Sequence, residues 1–492
     1  MATPCVPRRD PHRGSERHSP GEVFVPPFPG HRPPAAVNAM LHRRDAMIRL
    51  GQLGAGSLLL PTLAGASESA PRATADACIF LFLWGGPPQH DTFDPKPDAP
   101  AEIRGEFKPI PTSVPGLHFA DQLPKLAAHA DKMTVVRSLT HGSNNHEPSV
   151  YHMLTGRQNP TLVVPRNQRN RSDFPNFAAV VSKFARPSNV PAAVTVPRPI
   201  GHSGVTYAGT HAGFLGPAFD PLERAAAKDT KEAAAHPLAP FDDLSDLRLT
   251  ARHGLLKRLE RQDDALQREG TPLDTNRDRA MRMLAAPAVR AAFEVDRESP
   301  KLRDRYGRNE YGESLLLARR LVEAGVKVVA INWMYIFPNG VVANVWDNHS
   351  GLNIHGAKTG YDLLRSPVCL PPLDQGLSAL LEDLSDRGLL NRTLVTAAGE
   401  FGRTPKVNKD GGRDHWGAAQ SVLFAGGGAT GGRVIGRTDK QGAYPTDRPV
   451  SPEDFLATIH TALGVSPGAE LLDRENRPQV AATGTPIRGV LG

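Results

Sequence analysis

Carboxylates and imidazoles recur in five short stretches of this chain, four of them following a run of apolar residues and one preceding such a run. They are Gln89-His90-Asp91-Thr92-Phe93-Asp94, His141-Gly142-Ser143-Asn144-Asn145-His146-Glu147, Trp346-Asp347-Asn348-His349 with His355 beyond, Gly399-Glu400-Phe401-Gly402-Arg403-Thr404-Pro405, and Gly412-Arg413-Asp414-His415-Trp416. Both side-chain types bind Zn²⁺ or Mn²⁺, and carboxylates also suit Ca²⁺ or Mg²⁺. Gathered on one rim, they predict a divalent-metal site whose ion the residue types leave open. Each stretch alone has an ordinary explanation. A lone loop histidine is more often a surface or hydrogen-bonding residue, Asp94 before Pro95 can be a helix cap, and Arg403 and Arg413 can pair with Glu400 and Asp414. The case for metal rests on all five meeting in one place.

The elements that must bring them together are legible as apolar runs. Cys78 to Trp84 reads as a buried central strand stopped by Gly85-Gly86-Pro87-Pro88, and Met133 to Val136 as a second. Residues 311–325 have helical spacing and a glycine stop before a strand at 326–333, and residues 373–388 repeat the unit before a strand at 393–397. A fifth strand, 420–425, ends in Gly426-Gly427-Gly428. This alternation predicts an α/β fold with a mostly parallel central sheet and helices on both faces, where ligands bind outside the carboxyl ends of the strands. The charged, Leu-spaced stretch about 222–305 reads as a helical insertion within a single domain spanning 77–492.

The 492 residues hold 58 Lys+Arg against 51 Asp+Glu, a formal charge of +7. Eight arginines against four acidic residues place +4 of it in residues 1–66. The +3 that remains gives no reason to expect nucleic acid as a partner. Three cysteines, Cys5, Cys78 and Cys369, exclude a disulfide framework and a Cys-rich zinc site. Residues 1–39, with nine prolines, are expected to be a disordered extension, read as a mis-annotated start ahead of Met40. Residues 40–66 combine Arg43-Arg44, a mildly apolar stretch and Ala64-Gly65-Ala66, which resembles a twin-arginine export signal. Residues 67–76 are then a linker, and the location expected is periplasmic or otherwise extracytoplasmic. Gln52, Pro61 and early glycines argue against a stable membrane span in the mature chain.

Six stretches resemble the bacterial family called domain of unknown function 1501, in the sulfatase and alkaline-phosphatase superfamily. They are GGPPQHDTFDPKP (85–97), NHEPSVYHMLTGR (145–157), WDNHSGLN (346–353), AAGEFGRTPKVN (397–408), GRDHW (412–416) and LFAGGGATGGRVIG (423–436). The resemblance implies an alkaline-phosphatase/sulfatase-like sheet and metal-dependent hydrolysis of phosphate or sulfate esters. By position it implies Asp91, Asp347, His349, Glu400 and His415 as metal ligands, although superfamily hydrolases space the Asp347–His349 pair more widely. Sulfatases carry a C/S-x-P-S-R-A-x-x-L-T-G segment, which residues 146–156 match at Pro148, Ser149 and Leu154-Thr155-Gly156. His146 occupies the nucleophile position and Val150 replaces the supporting arginine, so a formylglycine cannot form there.

The candidates for chemistry are therefore His146 as nucleophile or ligand, Ser149 or nearby Ser143 as a substitute nucleophile, and Arg403 with Arg413 to hold an anionic ester. Two function classes follow. One is an exported metal-dependent hydrolase acting on a small-molecule or glycan anionic ester. The other is a non-catalytic extracytoplasmic protein that binds metal or anionic glycans on the same scaffold. A dinucleotide enzyme lacks its GxGxxG opening a helix, and a serine triad lacks its GxSxG elbow.

Overall fold

The computed structural model describes residues 71–159, 168–202, 205–223 and 287–492. The extension 1–39, the signal 40–66 and most of the insertion lie outside the described residues.

Eight strands form the central sheet: β1 Ala77–Phe82, β2 Met133–Leu139, β3 Ala193–Val196, β4 Leu222–Glu223, β5 Val328–Asn332, β6 Thr393–Ala398, β7 Gln420–Ala425 and β8 Arg433–Ile435. Their spatial order is β8-β2-β7-β6-β1-β5-β3-β4. All neighbours pair in parallel except β7, which runs antiparallel to both β6 and β2. The five strands read from the sequence are present, and β3, β4 and β8 join them at the two sides. Those three are two to four residues long, too short for a periodic signal. Leu222–Glu223 is a sheet strand, so the insertion begins after it and not at 222.

β1 is central and buried along its whole length. Its side chains alternate between two cores. Ile79 and Leu81 pack with Leu315, Leu321, Leu373 and Leu380, whereas Cys78, Phe80 and Phe82 pack with Val150, Met153, Phe177 and Phe455. The first face is therefore covered by helices Glu310–Glu323 and Leu370–Asp386. The second is covered by His146–Thr155, Phe177–Phe184 and Pro452–Ala462. Helices on both faces leave only the two rims of the sheet open to ligands.

The described end of the insertion, helices Pro287–Phe293 and Pro300–Tyr306, contributes buried Val289, Ala292 and Tyr306. At the start of the described chain, residues 74 and 75 are bonded to the body of the domain. The backbone N–H groups of Thr74 and Ala75 both donate to the Ala462 carbonyl at 2.9 Å, and Thr74 Oγ1 donates to Gly427 O at 2.7 Å. A helix-end carbonyl without an intrahelical partner recruits these donors, so residues 74–76 belong to the domain.

Two local features aim the strand ends at one another. After β1 the chain turns through Gly85 (φ +119°), where a Cβ would lie 2.3 Å from the Asp347 backbone nitrogen. Only glycine lets the loop carrying Asp347 come this close. Between β6 and β7 a two-stranded ribbon pairs Gly402–Arg403 with His415–Trp416, setting Arg403 opposite His415. Because β7 is antiparallel, the residues that precede it sit on the rim where β1 and β6 end. His415 reaches that rim for this reason.

Candidate metal centre

His146 opens the helix His146–Thr155 at the exit of the loop after β2. Its Nδ1–H donates to Glu400 Oε1 at 2.6 Å, and its Nε2 lies 3.3 Å from Asp347 Oδ2. His415, on the ribbon, donates from Nδ1 to the Asn144 carbonyl at 2.9 Å, and its Nε2 lies 2.9 Å from Asp347 Oδ1. One ligand atom from each of His146, Asp347 and His415 lies within 4.8 Å of the others. In both imidazoles Nδ1 faces an acceptor, so each ring turns Nε2 toward Asp347, and loss of the Nε2 proton would free that nitrogen for a cation. The donor set, two ring nitrogens and one carboxylate, suits a borderline cation such as Zn²⁺ better than Ca²⁺ or Mg²⁺, which favour all-oxygen shells.

Glu400 takes no direct place in this trio. Its two oxygens each accept the Gly85 N–H at 3.0 Å, and its backbone carbonyl accepts from His141 Nε2 at 2.7 Å. It is the carboxylate that orients His146. Phe401 walls the site from behind, with ring centroids 5.0 Å from His146 and 4.6 Å from His415. Asn344 Nδ2 stands 3.3 Å from Asp347 Oδ2 and 3.2 Å from His146 Nε2. Asn344, Phe401 and the Asn144 carbonyl were not expected as site components. Asn344 carries no signal in the sequence, whereas Phe401 lies inside a quoted motif.

Charge on the trio follows from its neighbours. Burial disfavours an ionised Asp347, but Arg403 and the imidazoles of His146, His349 and His415 outweigh it and hold the carboxyl well below its usual range. Burial likewise disfavours a charged His146, yet Asp347 and Glu400 outweigh it and raise its pKa to about 9. Without a cation, His146 is an imidazolium clamped between two carboxylates. A divalent ion bound at Nε2 would displace that proton and bring two positive charges in place of one.

The other expected residues fall elsewhere. Asp91 is sealed in an ion pair in which both side chains are 0 % exposed. Arg413 Nε donates to its Oδ2 at 2.7 Å, and Tyr361 OH donates to its Oδ1 at 3.0 Å. Both oxygens of that carboxylate are thus engaged, and Asp91 is not among the three residues whose ligand atoms converge. Arg403 is also fully buried. It donates to Gly86 O at 3.0 Å, Arg413 O at 2.9 Å, Trp346 O at 3.0 Å and Asp347 Oδ1 at 2.6 Å, and also to Gly85 O. So committed, it positions Asp347 and leaves little to grip a substrate. Ser149 is buried one helical turn beyond His146, and its hydroxyl donates to the Ser143 carbonyl at 3.4 Å, which makes it a tie between loop and helix. His349 is at the mouth: its Nδ1 lies 3.0 Å from Asp347 Oδ1 and its side chain is 43 % exposed. His355 contacts the Tyr335 ring, outside the trio. Asp94 pairs with Lys96 and Arg137.

The sequence model of one family, described as "Protein of unknown function (DUF1501)", matches residues 75–491. No curated protein matches the chain by sequence. Among solved structures, the chain is similar to the phosphonate monoester hydrolase SpPMH from Silicibacter pomeroyi, with 14% identity and TM-score 0.39 over 85% of this chain and 76% of that one. It is also similar to Ps i-CgsB in complex with k-i-k-neocarrahexaose (12%, TM-score 0.38, 85% and 75%). A third is a putative sulfatase from Bacteroides thetaiotaomicron (10%, TM-score 0.36, 84% and 74%).

Proposed function

The chain belongs to the DUF1501 family, and on that premise we propose an exported hydrolase of phosphate or sulfate esters that works with one divalent ion held by His146, Asp347 and His415. The observation that carries this reading is the convergence of three ligand atoms within 4.8 Å, with Nδ1 of both imidazoles facing an acceptor and Nε2 facing Asp347. Asp91 is spent on Arg413, which argues for one ion and not two. When bound, such an ion polarises an ester oxygen and lowers the pKa of water. Glu400 holds the Nδ1 proton of His146, and the Asn144 carbonyl holds that of His415, so neither ring turns away. Arg403 keeps Asp347 ionised. His349, half-exposed at the mouth with Nδ1 on Asp347, would hold or pass a proton at Nε2. His146 is a ligand in this reading and not the nucleophile, because its Nδ1 is given to Glu400 and its Nε2 to the ion.

The residues proposed for export, 40–66, lie outside the described residues. Among the described residues no helix is long and apolar enough to cross a membrane. Replacing Arg43 and Arg44 by lysine is expected to retain the protein in the cytoplasm, as read by fractionation. The enzymatic reading is tested with aryl phosphates and aryl sulfates on the metal-loaded chain: turnover lost in Asp347→Ala supports it. Failure to cleave either ester while metal is retained moves the binding protein ahead. That second reading is favoured by the commitment of both arginines expected to hold the anion.

A further inference from the structure

Glu147 follows the ligand His146 in the first turn of its helix and is not one of the trio. A carboxylate at that position is favoured by the helix N-terminus alone. The helix end does not account for the phenol set against it. The Tyr207 hydroxyl donates to Glu147 Oε1 in a long hydrogen bond of 3.5 Å, and Tyr207 is 1 % exposed. Its ring stands edge-on to Trp84, with centroids 6.0 Å apart. Trp84 directly precedes Gly85, whose N–H donates to Glu400. The backbone fixes Tyr207 in place: its N–H donates to Ile200 O at 3.0 Å, and its carbonyl accepts from Thr210 Oγ1 at 2.6 Å. Two residues on, Gly209 (φ +73°) lets the loop lie against the ligand helix, because a Cβ there would sit 2.8 Å from Tyr151 Cδ2. The phenol also feels the metal centre. Burial and the charges of Glu147, Glu400 and Asp347 all raise its pKa, so it keeps its proton and remains a donor.

An untethered carboxylate one residue from a ligand histidine has the right chemistry to bind the same ion. It would fill the position that three protein ligands leave open for water or substrate. We propose that Tyr207 is a positioning residue whose hydroxyl keeps the Glu147 carboxylate out of the coordination sphere, and so keeps open the place where water or an ester meets the ion. The inference rests on the metal centre of His146, Asp347 and His415, and goes beyond it in giving two residues outside the trio a role.

The test is the Zn²⁺ affinity of the full chain, read by competition with a chelator, in the wild type, Tyr207→Phe, Glu147→Gln and the double variant. Phenylalanine keeps the ring against Trp84 and removes the donor. Tyr207→Phe is expected to bind Zn²⁺ about tenfold more tightly, on the order of one added charge-assisted contact. Adding Glu147→Gln should return the affinity to that of the wild type. A purely structural tyrosine gives the opposite sign, since a loosened helix start weakens the site. Tyr207→Phe binding no more tightly than the wild type, or a gain that survives Glu147→Gln, would overturn the assignment. Should Tyr207→Phe fail to fold, Glu147→Gln alone decides. Unchanged affinity is then the expected result, and weaker binding shows that the carboxylate already serves the ion and overturns the role of Tyr207. Zn²⁺ bound by none of the four proteins would remove the metal centre and this role with it. Ester cleavage is not read, so a failure of the hydrolase reading leaves the result standing.

Discussion

Two carboxylates near the ends of β1 and β5 meet opposite fates in this protein. Asp91 faces an arginine and a tyrosine in a sealed interior, whereas Asp347 faces three imidazoles and one arginine at a partly open rim. The partner decides the role. A guanidinium keeps its protons and has no acceptor, whereas an imidazole can give up its Nε2 proton to a cation. The histidines show the same division. His90, next to Asp91, is pushed down to about 4 by burial, helped by Arg413. His146 is lifted to about 9 by its two carboxylates against the cost of burial.

The largest expected effect breaks the sealed side. Asp91→Ala leaves Arg413 buried and unpaired, and should cost about 3–5 kcal/mol of stability, measured by denaturant unfolding, with metal content unchanged in the folded fraction. A loss of metal without a loss of stability would mean that Asp91 serves the trio after all. On the open side, Glu400→Gln should lower metal affinity about 10- to 100-fold by weakening the hold on the His146 ring, read by competition with a chelator. Unchanged affinity would show that Glu400 does not orient His146.

Acid and base should separate the two regions in the metal-free protein. His90 has a folded pKa below its unfolded value, as do His141 and His460, each lowered to about 4 by burial. Their contribution is complete above about 6.5 and is lost as pH falls toward 4. His146 has a raised folded pKa, so its contribution is complete below about 6.5 and is lost as pH rises through about 9. Unfolding measured in chelator should therefore show an acid limb and an alkaline limb, and His146→Gln should remove only the alkaline one. Metal affinity should rise with pH up to about 9, because binding displaces the His146 proton. The smallest effect is expected for Asn344→Ala, about threefold to tenfold in metal affinity for one lost hydrogen bond, checked by the same competition.

Much of the scaffold is legible in the sequence, because central strands such as Cys78–Leu83 are continuous apolar runs and their helices carry periodic leucines. The rim is legible too: Asp347, His146, Glu400 and His415 meet there. The direction of β7 is not legible, and it alone explains why His415, which precedes its strand, joins residues that follow theirs. Pairing is equally hidden. Arg413 lies 322 residues from Asp91 in the chain, and nothing in a linear pattern distinguishes a carboxylate that will find a guanidinium from one that will find imidazoles. Ser149 and Arg403 have the right types for catalysis, yet Ser149 is buried and Arg403 is held by four backbone carbonyls and Asp347. Neither property is written in a motif.

The central claim is that His146, Asp347 and His415 hold one divalent ion. It is tested most directly by elemental analysis of the purified chain after supplementation with Zn²⁺ or Mn²⁺ and desalting, beside His415→Ala with an unchanged circular dichroism spectrum. One ion per chain in the wild type and none in the variant is the result expected. Equal metal in both proteins, or none in either, would contradict it.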